Sequence, residues 1–205
     1  MNNLLLSLSK LPYFKTSTLG AFLPHLKKAS VYRKIIRWRK ARKVVKLKKG
    51  FYIINDYKKS LDITYLYYLA NTLCYPSYVS GIFILQNYGV LTDITFPITS
   101  ITLKTTRKYR NKIGSFFYNS ISKKLYTGYK RILYKDNPIY IATLAKSLFD
   151  YLYIKYFKIK ISAERIIERE RFNLDAFKKK DIGEFRKYCK LSKNKLLIEL
   201  SQKLF

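Results

Sequence analysis

Apolar residues between positions 29 and 43 recur at the spacing of an α-helix. Val31, Ile35 and Trp38 stand at positions i, i+4 and i+7, so they share one face. At about 100° per residue, the opposite face collects polar and basic side chains. These are Ser30, Arg33, Arg37 and Lys40. The pattern predicts a helix that packs through its apolar stripe and presents a basic stripe to solvent.

Two shorter helices are predicted before it, at 3–10 and 16–22, where leucines have helical spacing and Thr or Ser can supply an N-cap. After it, the β-prone arms 44–48 and 51–54 flank a Lys-Lys-Gly turn in which Gly50 can adopt a positive φ. The lysines predicted to face outward from this hairpin or its turn are Lys46, Lys48 and Lys49. Three helices followed by a basic hairpin predict a winged helix-turn-helix domain over residues 1–57.

Residues 58–205 are predicted to form a second domain, of mixed α and β structure. Its β-prone and helix-periodic segments alternate, and Thr143 is placed to cap a long helix. The expected elements are a helix from Ser77 or Tyr78 to Gly89, a hairpin of Ile98–Leu103 with Ser115–Asn119, strands at 128–133 and 139–141, and helices at 163–171, 174–188 (interrupted near Gly183) and 193–204. The predicted fold class is therefore α+β: a winged helix, then a small antiparallel sheet with a helical C-terminal tail.

Composition narrows the class of partner. The 205 residues include 42 Lys and Arg against 12 Asp and Glu, a formal net charge of +30. A disordered basic tail is excluded, because 48% of the residues are hydrophobic and 17% are aromatic, enough to build a core. Such an excess of positive charge points to a polyanionic partner that relieves the self-repulsion.

The positive charge is unevenly distributed along the chain. Residues 1–55 contain 14 basic side chains and no acidic one, whereas the last 55 residues contain 15 basic and seven acidic side chains. A second stretch without carboxylates, between Asp93 and Asp136, holds ten basic residues interleaved with Tyr and Phe. Its first cations form a second candidate nucleic-acid surface: Lys104, Arg107, Lys108 and Arg110. Clustering of this kind indicates located binding surfaces.

The residues predict no catalytic site, no cofactor and no metal centre. Asp56-Tyr57-Lys58 has the acid-x-Lys form of some nuclease motifs, but no upstream carboxylate precedes it to help hold a metal. Glu164, Glu168 and Glu170 alternate with Arg165, Arg169 and Arg171, which predicts an ion-paired helix. The chain is therefore predicted not to be an enzyme.

No stretch approaches the roughly 20 apolar residues of a membrane span, so no membrane association is expected. Cys74 and Cys189 lie too far apart in sequence to indicate a disulfide framework or a metal-binding motif. A cytoplasmic location is the expectation.

Several segments resemble the AbiEi-type antitoxins in order and spacing. Together they cover roughly residues 11–157: Phe14-x-Thr16, Lys49–Tyr52, Pro76–Leu91, Ile98–Thr106, Gly114–Tyr118, Gly128-Tyr129 and Ile141–Asp150. The chain departs from the family at Leu144-Ala145, where Pro-Glu is common, and at Ile82–Leu85, where Glu-Ser-Ala-Leu is common.

This resemblance implies a type IV toxin–antitoxin system that acts in abortive infection and phage defence. The winged helix would bind double-stranded operator repeats and repress transcription. The domain from residue 58 would counteract a cognate nucleotidyltransferase toxin without forming a stable complex. From the residues alone, an RNA-binding or ribosome-associated protein remains the alternative, because interleaved aromatic and basic residues suit single-stranded bases. A nuclease that uses Asp56 is the third alternative.

Overall fold

The computed structural model describes residues 3–55, 62–92 and 97–205. The chain divides into two compact units. Unit 1 comprises Met1–Ile63 together with Tyr109–Ser115, and unit 2 comprises Thr64–Lys108 together with Phe116–Phe205. Both helices and β-sheets are present, so the α+β class is confirmed. Among the described helices, none combines the length and apolar character that crossing a membrane requires.

The described part of unit 1 contains three α-helices and a three-stranded antiparallel sheet with the strand order β1-β3-β2. Its elements along the chain are α1 (Asn3–Ser9), β1 (Phe14–Lys15), α2 (Thr16–Phe22), α3 (Lys28–Lys40), β2 (Val44–Lys48) and β3 (Phe51–Ile54). The helices and the hairpin predicted from the sequence are confirmed, with α3 ending three residues earlier than expected. A β-bulge between Lys46 and Lys48 shifts the register of the hairpin.

The core of unit 1 forms from the apolar stripe of α3 and the inward residues of the sheet. Val31, Ile35 and Trp38 are buried as predicted, with 3%, 1% and 7% of their surface exposed. They pack in one cluster with residues of α1, α2 and the three strands. Phe14 and Tyr52 stack within this cluster, with their ring centroids 5.7 Å apart. The stripe therefore fixes the rotation of α3 and points its basic side chains outward.

Unit 2 is built around a six-stranded sheet with the strand order β6-β7-β5-β4-β9-β8. The strands are β4 (Ser77–Val79), β5 (Ile98–Thr102), β6 (Arg107–Arg110), β7 (Ser115–Ser120), β8 (Tyr129–Tyr134) and β9 (Asn137–Ala142). The helices are α4 (Ile63–Leu73), α5 (Ile82–Asn87), α6 (Leu144–Tyr156), α7 (Ala163–Glu170), α8 (Lys179–Ser192) and α9 (Lys195–Lys203). The tip of the β6–β7 hairpin, residues 109–115, belongs to unit 1.

The prediction of a small antiparallel sheet is wrong, because the sheet is mixed. β4 runs antiparallel to β5 but parallel to β9, and β5 runs parallel to β7. The predicted hairpin of Ile98–Leu103 with Ser115–Asn119 is wrong for the same reason. The connection between β5 and β7 contains the strand β6, which takes the edge position beside β7 and lets β7 return parallel to β5.

The helix predicted from Ser77 or Tyr78 to Gly89 is also wrong at its start. Ser77–Val79 forms the central strand β4, whose Val79 pairs with Ser100 on one side and with Ile141 on the other. Gly81 then adopts φ +71° and ψ −144°, a conformation that helices exclude and that essentially only glycine tolerates. The helix therefore begins only at Ile82.

The helical C-terminal tail is confirmed, with one correction. The helix predicted at 174–188 begins at Lys179, where the Lys178 backbone N–H donates to the Asp181 carboxylate at 3.0 Å. It runs through Gly183 without interruption. A helical glycine costs about 1 kcal/mol relative to alanine, and burial of Phe185, Tyr188 and Cys189 in the core of unit 2 offsets this cost.

Candidate nucleic-acid interface

The outward surface of α3 carries most of the residues predicted to bind DNA. Arg33, Arg37 and Lys40 are exposed, while Ser30 is half-buried. The Arg33 Nη2 lies 3.4 Å from the Ser30 Oγ and donates to it, which holds the guanidinium along the helix. Because residues 1–55 contain no Asp or Glu, no acidic side chain of this segment neutralises these cations.

The lysines of the β2–β3 hairpin differ in their surroundings. Lys46 and Lys49 are exposed, as predicted. Lys48 is half-buried, and its Nζ lies 4.1 Å from the centre of the Phe51 ring and 5.7 Å from that of Tyr109. Cation–π contacts of this kind orient an ammonium group. The Lys48 ammonium is therefore held against aromatic rings, whereas the side chains of Lys46 and Lys49 are exposed to solvent.

A segment far away in sequence completes this part of unit 1. The Asn111 side-chain Nδ2 donates to the Leu47 backbone carbonyl at 3.1 Å. Within the turn, the Asn111 Oδ1 accepts from the Ile113 N–H at 2.8 Å. Residues 109–115 thereby add the exposed Arg110 and Lys112 to the unit that contains α3. Sequence reasoning missed this arrangement, because nothing in the local pattern links the turn to the hairpin.

The second candidate surface predicted at Lys104, Arg107, Lys108 and Arg110 is divided by this arrangement. Arg110 belongs to unit 1, whereas Lys104, Arg107 and Lys108 belong to unit 2. The Arg107 guanidinium donates to the backbone carbonyl and the hydroxyl of Thr105, at 3.0 and 2.8 Å. The Lys108 Nζ lies 4.8 Å from the centre of the Phe117 ring. Lys104 and Lys108 are exposed.

Unit 2 contains a buried ion pair that sequence reasoning did not single out. The Lys146 Nζ and the Asp150 Oδ1 lie 2.5 Å apart, one helical turn apart on α6, and neither side chain is exposed. The hydroxyls of Ser80 and Tyr78 donate to the Asp150 Oδ2 at 2.7 and 3.1 Å. Burial raises the pKa of the Asp150 carboxyl and lowers the pKa of the Lys146 ammonium, and their mutual contact opposes both changes.

The residues around this pair come from segments that are far apart in the sequence. Gly128, with φ +77°, lies so close to α8 that a Cβ there would be 2.2 Å from the Tyr188 hydroxyl oxygen. The Tyr188 hydroxyl donates to the Glu184 Oε1 at 2.7 Å. Thr143, which caps α6 as predicted, donates to the same Glu184 oxygen at 2.9 Å. Every polar group named here has a protein partner, so the network serves as structure in the core of unit 2.

No protein-family model matches the chain, and neither does any curated protein.

The remaining predicted sites are placed as follows. The Asp56-Tyr57-Lys58 segment lies outside the described residues. Among the residues that are described, no three His, Cys, Asp or Glu side chains come together in a way that could hold a metal ion. Cys74 and Cys189 are both buried and unbridged, and burial raises the pKa of the Cys189 thiol to about 12.

Two carboxylates of α7, Glu164 and Glu170, pair with lysines from other helices rather than with the arginines predicted. Glu164 contacts Lys203 of α9. Glu170 contacts Lys155 of α6 at 2.6 Å and also accepts from the Tyr151 and Tyr156 hydroxyls. Burial alone would raise the pKa of Glu170, but these hydrogen bonds outweigh it and hold the pKa below its ordinary value. Packing of α7 against α6 and α9 thus selects the partners.

Proposed function

We propose that unit 1 binds double-stranded DNA by placing α3 in the major groove, with the β2–β3 hairpin against the adjacent backbone. The observation that carries this proposal is the rotation of α3. Burial of Val31, Ile35 and Trp38 leaves Arg33, Arg37 and Lys40 facing outward, in a segment of 55 residues that contains no carboxylate. Cations gathered on one helix face favour a phosphate-rich partner.

The order of elements supports a winged helix-turn-helix as the fold of this unit. A helix and a short strand precede α2 and α3, and the hairpin β2–β3 follows, with β1 pairing to β3. In helix-turn-helix proteins, the second helix of the motif lies in the major groove and contacts base edges. By this reading α3 is the recognition helix, and Lys46, Lys48 and Lys49 belong to the wing.

We propose further that the chain is a DNA-binding autorepressor and the antitoxin of a type IV toxin–antitoxin system. The resemblance to AbiEi-type antitoxins supports this second step. Two of the segments that carry it, Pro76–Leu91 and Ile141–Asp150, meet in unit 2 where the Tyr78 and Ser80 hydroxyls donate to Asp150. The partner would be a cytoplasmic nucleotidyltransferase toxin, counteracted without a stable complex. The chain needs no cofactor in this role.

Binding assays with three nucleic acids test the DNA-binding proposal. Fluorescence anisotropy compares a duplex from the region upstream of the gene, an unrelated duplex of equal length, and a structured RNA. Preference for the upstream duplex supports an autorepressor. Equal binding to all three at moderate salt contradicts it, and preference for the RNA favours the RNA-binding alternative.

The antitoxin proposal has a separate test. The chain is co-expressed with a nucleotidyltransferase encoded beside its gene, and growth is recorded. Restored growth is expected both for the wild-type chain and for an Arg33→Ala/Arg37→Ala variant, because neutralisation is assigned to unit 2. Continued toxicity with the wild-type chain would contradict an antitoxin role and leave DNA binding untouched.

Arg33→Ala and Arg37→Ala are each expected to weaken binding to the upstream duplex by about 1–3 kcal/mol if these arginines contact guanine edges. The same anisotropy titration on random DNA should show a smaller loss. Arg165→Ala, which removes an exposed arginine of α7, is the matched control and should leave both affinities unchanged. Equal losses on both duplexes would identify Arg33 and Arg37 as phosphate contacts.

A further inference from the structure

Two large apolar side chains lie exposed on α3, beside its basic residues. Tyr32 is 51% exposed and Ile36 is 36% exposed, although both belong to the helix that supplies much of the core of unit 1. They stand four residues apart, so they are neighbours on the helix surface. Ala29, also exposed, lies one turn before Tyr32 and adds no bulk to this strip.

The strip lies outside the fully buried stripe of α3. At about 100° per residue, Tyr32 and Ile36 lie roughly 100° and 140° from Val31 around the helix, outside the buried stripe. Arg33 and Lys40 follow at roughly 200° and 180°, so the apolar strip and the basic residues form one continuous outward surface. A single exposed apolar residue needs no explanation. A pair that lies directly beside these cations on the exposed side of the helix indicates a partner that is both polyanionic and locally apolar.

The major groove of B-DNA has both properties. Phosphates line its rims, and the 5-methyl group of thymine is the one apolar group that the base edges present there. We propose that Ile36 and Tyr32 contact thymine methyl groups, so that α3 selects A·T pairs at the positions they face. This inference rests on the proposed DNA-binding function and adds the basis of its sequence preference.

Replacing thymine by deoxyuridine provides a direct test, because it removes the methyl group and leaves the base-pairing edge unchanged. A preferred duplex is first selected from a random pool and then prepared with thymine or with deoxyuridine at each A·T pair in turn. The wild-type chain is expected to lose about fourfold in affinity for each contacted methyl, which corresponds to burial of one methyl group at about 0.8 kcal/mol.

Ile36→Ala and Tyr32→Ala should each bind the thymine duplex more weakly and no longer distinguish thymine from deoxyuridine at one position. Lys40→Gln should weaken binding to both duplexes equally, because a phosphate contact does not sense the methyl. Leu6→Ala, at an exposed leucine of α1, should change neither affinity. Fluorescence of Trp38, the only tryptophan, shows that each variant remains folded.

The outcomes separate this inference from the proposed function. Tight binding to the selected duplex with no thymine preference at any position would overturn the methyl contacts while DNA binding stands. An unchanged thymine-to-deoxyuridine ratio in both Ile36→Ala and Tyr32→Ala would also overturn them. Failure to bind any duplex would overturn the proposed function and this inference together.

Discussion

Trp38→Ala is expected to unfold unit 1 and leave unit 2 folded. Trp38 is 7% exposed and lies at the C-terminal end of the apolar stripe of α3, in one cluster with residues of every strand of the small sheet. Truncating a buried tryptophan typically costs about 3–5 kcal/mol. Unit 1 has a small core, so a loss of this size is comparable to the whole stability expected of a domain of its length.

Hydrogen exchange measured by mass spectrometry checks this expectation unit by unit. Peptides from α3 and the β2–β3 hairpin should lose protection in Trp38→Ala, whereas peptides from α6 and α8 should keep it. Tyr32→Ala is the matched control, because it removes an aromatic ring from the exposed side of the same helix. Retained protection of α3 in Trp38→Ala would show that the stripe does not hold the unit together.

The unit 1 elements could be predicted because each has a strong local signal. A stripe of Val31, Ile35 and Trp38 specifies both the helix and its buried face. A Lys-Lys-Gly turn between two β-prone arms specifies the hairpin, and Gly50 has the expected positive φ, +77°. The candidate interface follows from the same stripe, because fixing the buried face of α3 also fixes where Arg33 and Arg37 point.

The sheet of unit 2 could not be predicted in the same way, because its order depends on pairing between distant segments. Ser77–Val79 is too short to show a period, and only its place between β5 and β9 makes it a strand. β6 has almost no apolar residues, as suits an exposed edge strand. Its charged sequence, Arg-Lys-Tyr-Arg, is typical of a loop, so the local pattern does not indicate the strand that separates β5 from β7.

Prediction of the candidate sites was limited in the same way, because several of their contacts depend on how distant segments pack. The exposure of Tyr32 and Ile36 follows from the helical phase of α3, but the charge pattern alone does not mark them as candidate site residues. The position of the Lys48 ammonium over the Phe51 ring depends on the β-bulge in the hairpin, and the local sequence pattern does not indicate this bulge. Lys146 and Asp150 have the i, i+4 spacing of an ordinary surface ion pair. Only the packing of α6 against the sheet and α8 makes that pair a buried one.

Asp150→Asn is expected to cost unit 2 about 3–5 kcal/mol of stability, because it leaves the Lys146 ammonium buried without its counter-charge. Lys146→Met should likewise strand the Asp150 carboxylate, although the Ser80 and Tyr78 hydroxyls still donate to it. The double variant Lys146→Met/Asp150→Asn removes both charges and keeps an oxygen that accepts from these hydroxyls. It should therefore be more stable than the sum of the single losses predicts.

Urea unfolding of the four chains measures this coupling as a double-mutant cycle. Glu199→Gln provides the comparison, since Glu199 and Lys203 form another i, i+4 pair at 2.9 Å whose side chains are 46% and 40% exposed. Exposed pairs contribute only about 0–1 kcal/mol, so this change should have little effect. Additive losses at Lys146 and Asp150 would contradict a coupled pair. A double variant that recovers much of the loss would establish that the single losses come mainly from burying an unpaired charge, rather than from losing the attraction within the ion pair.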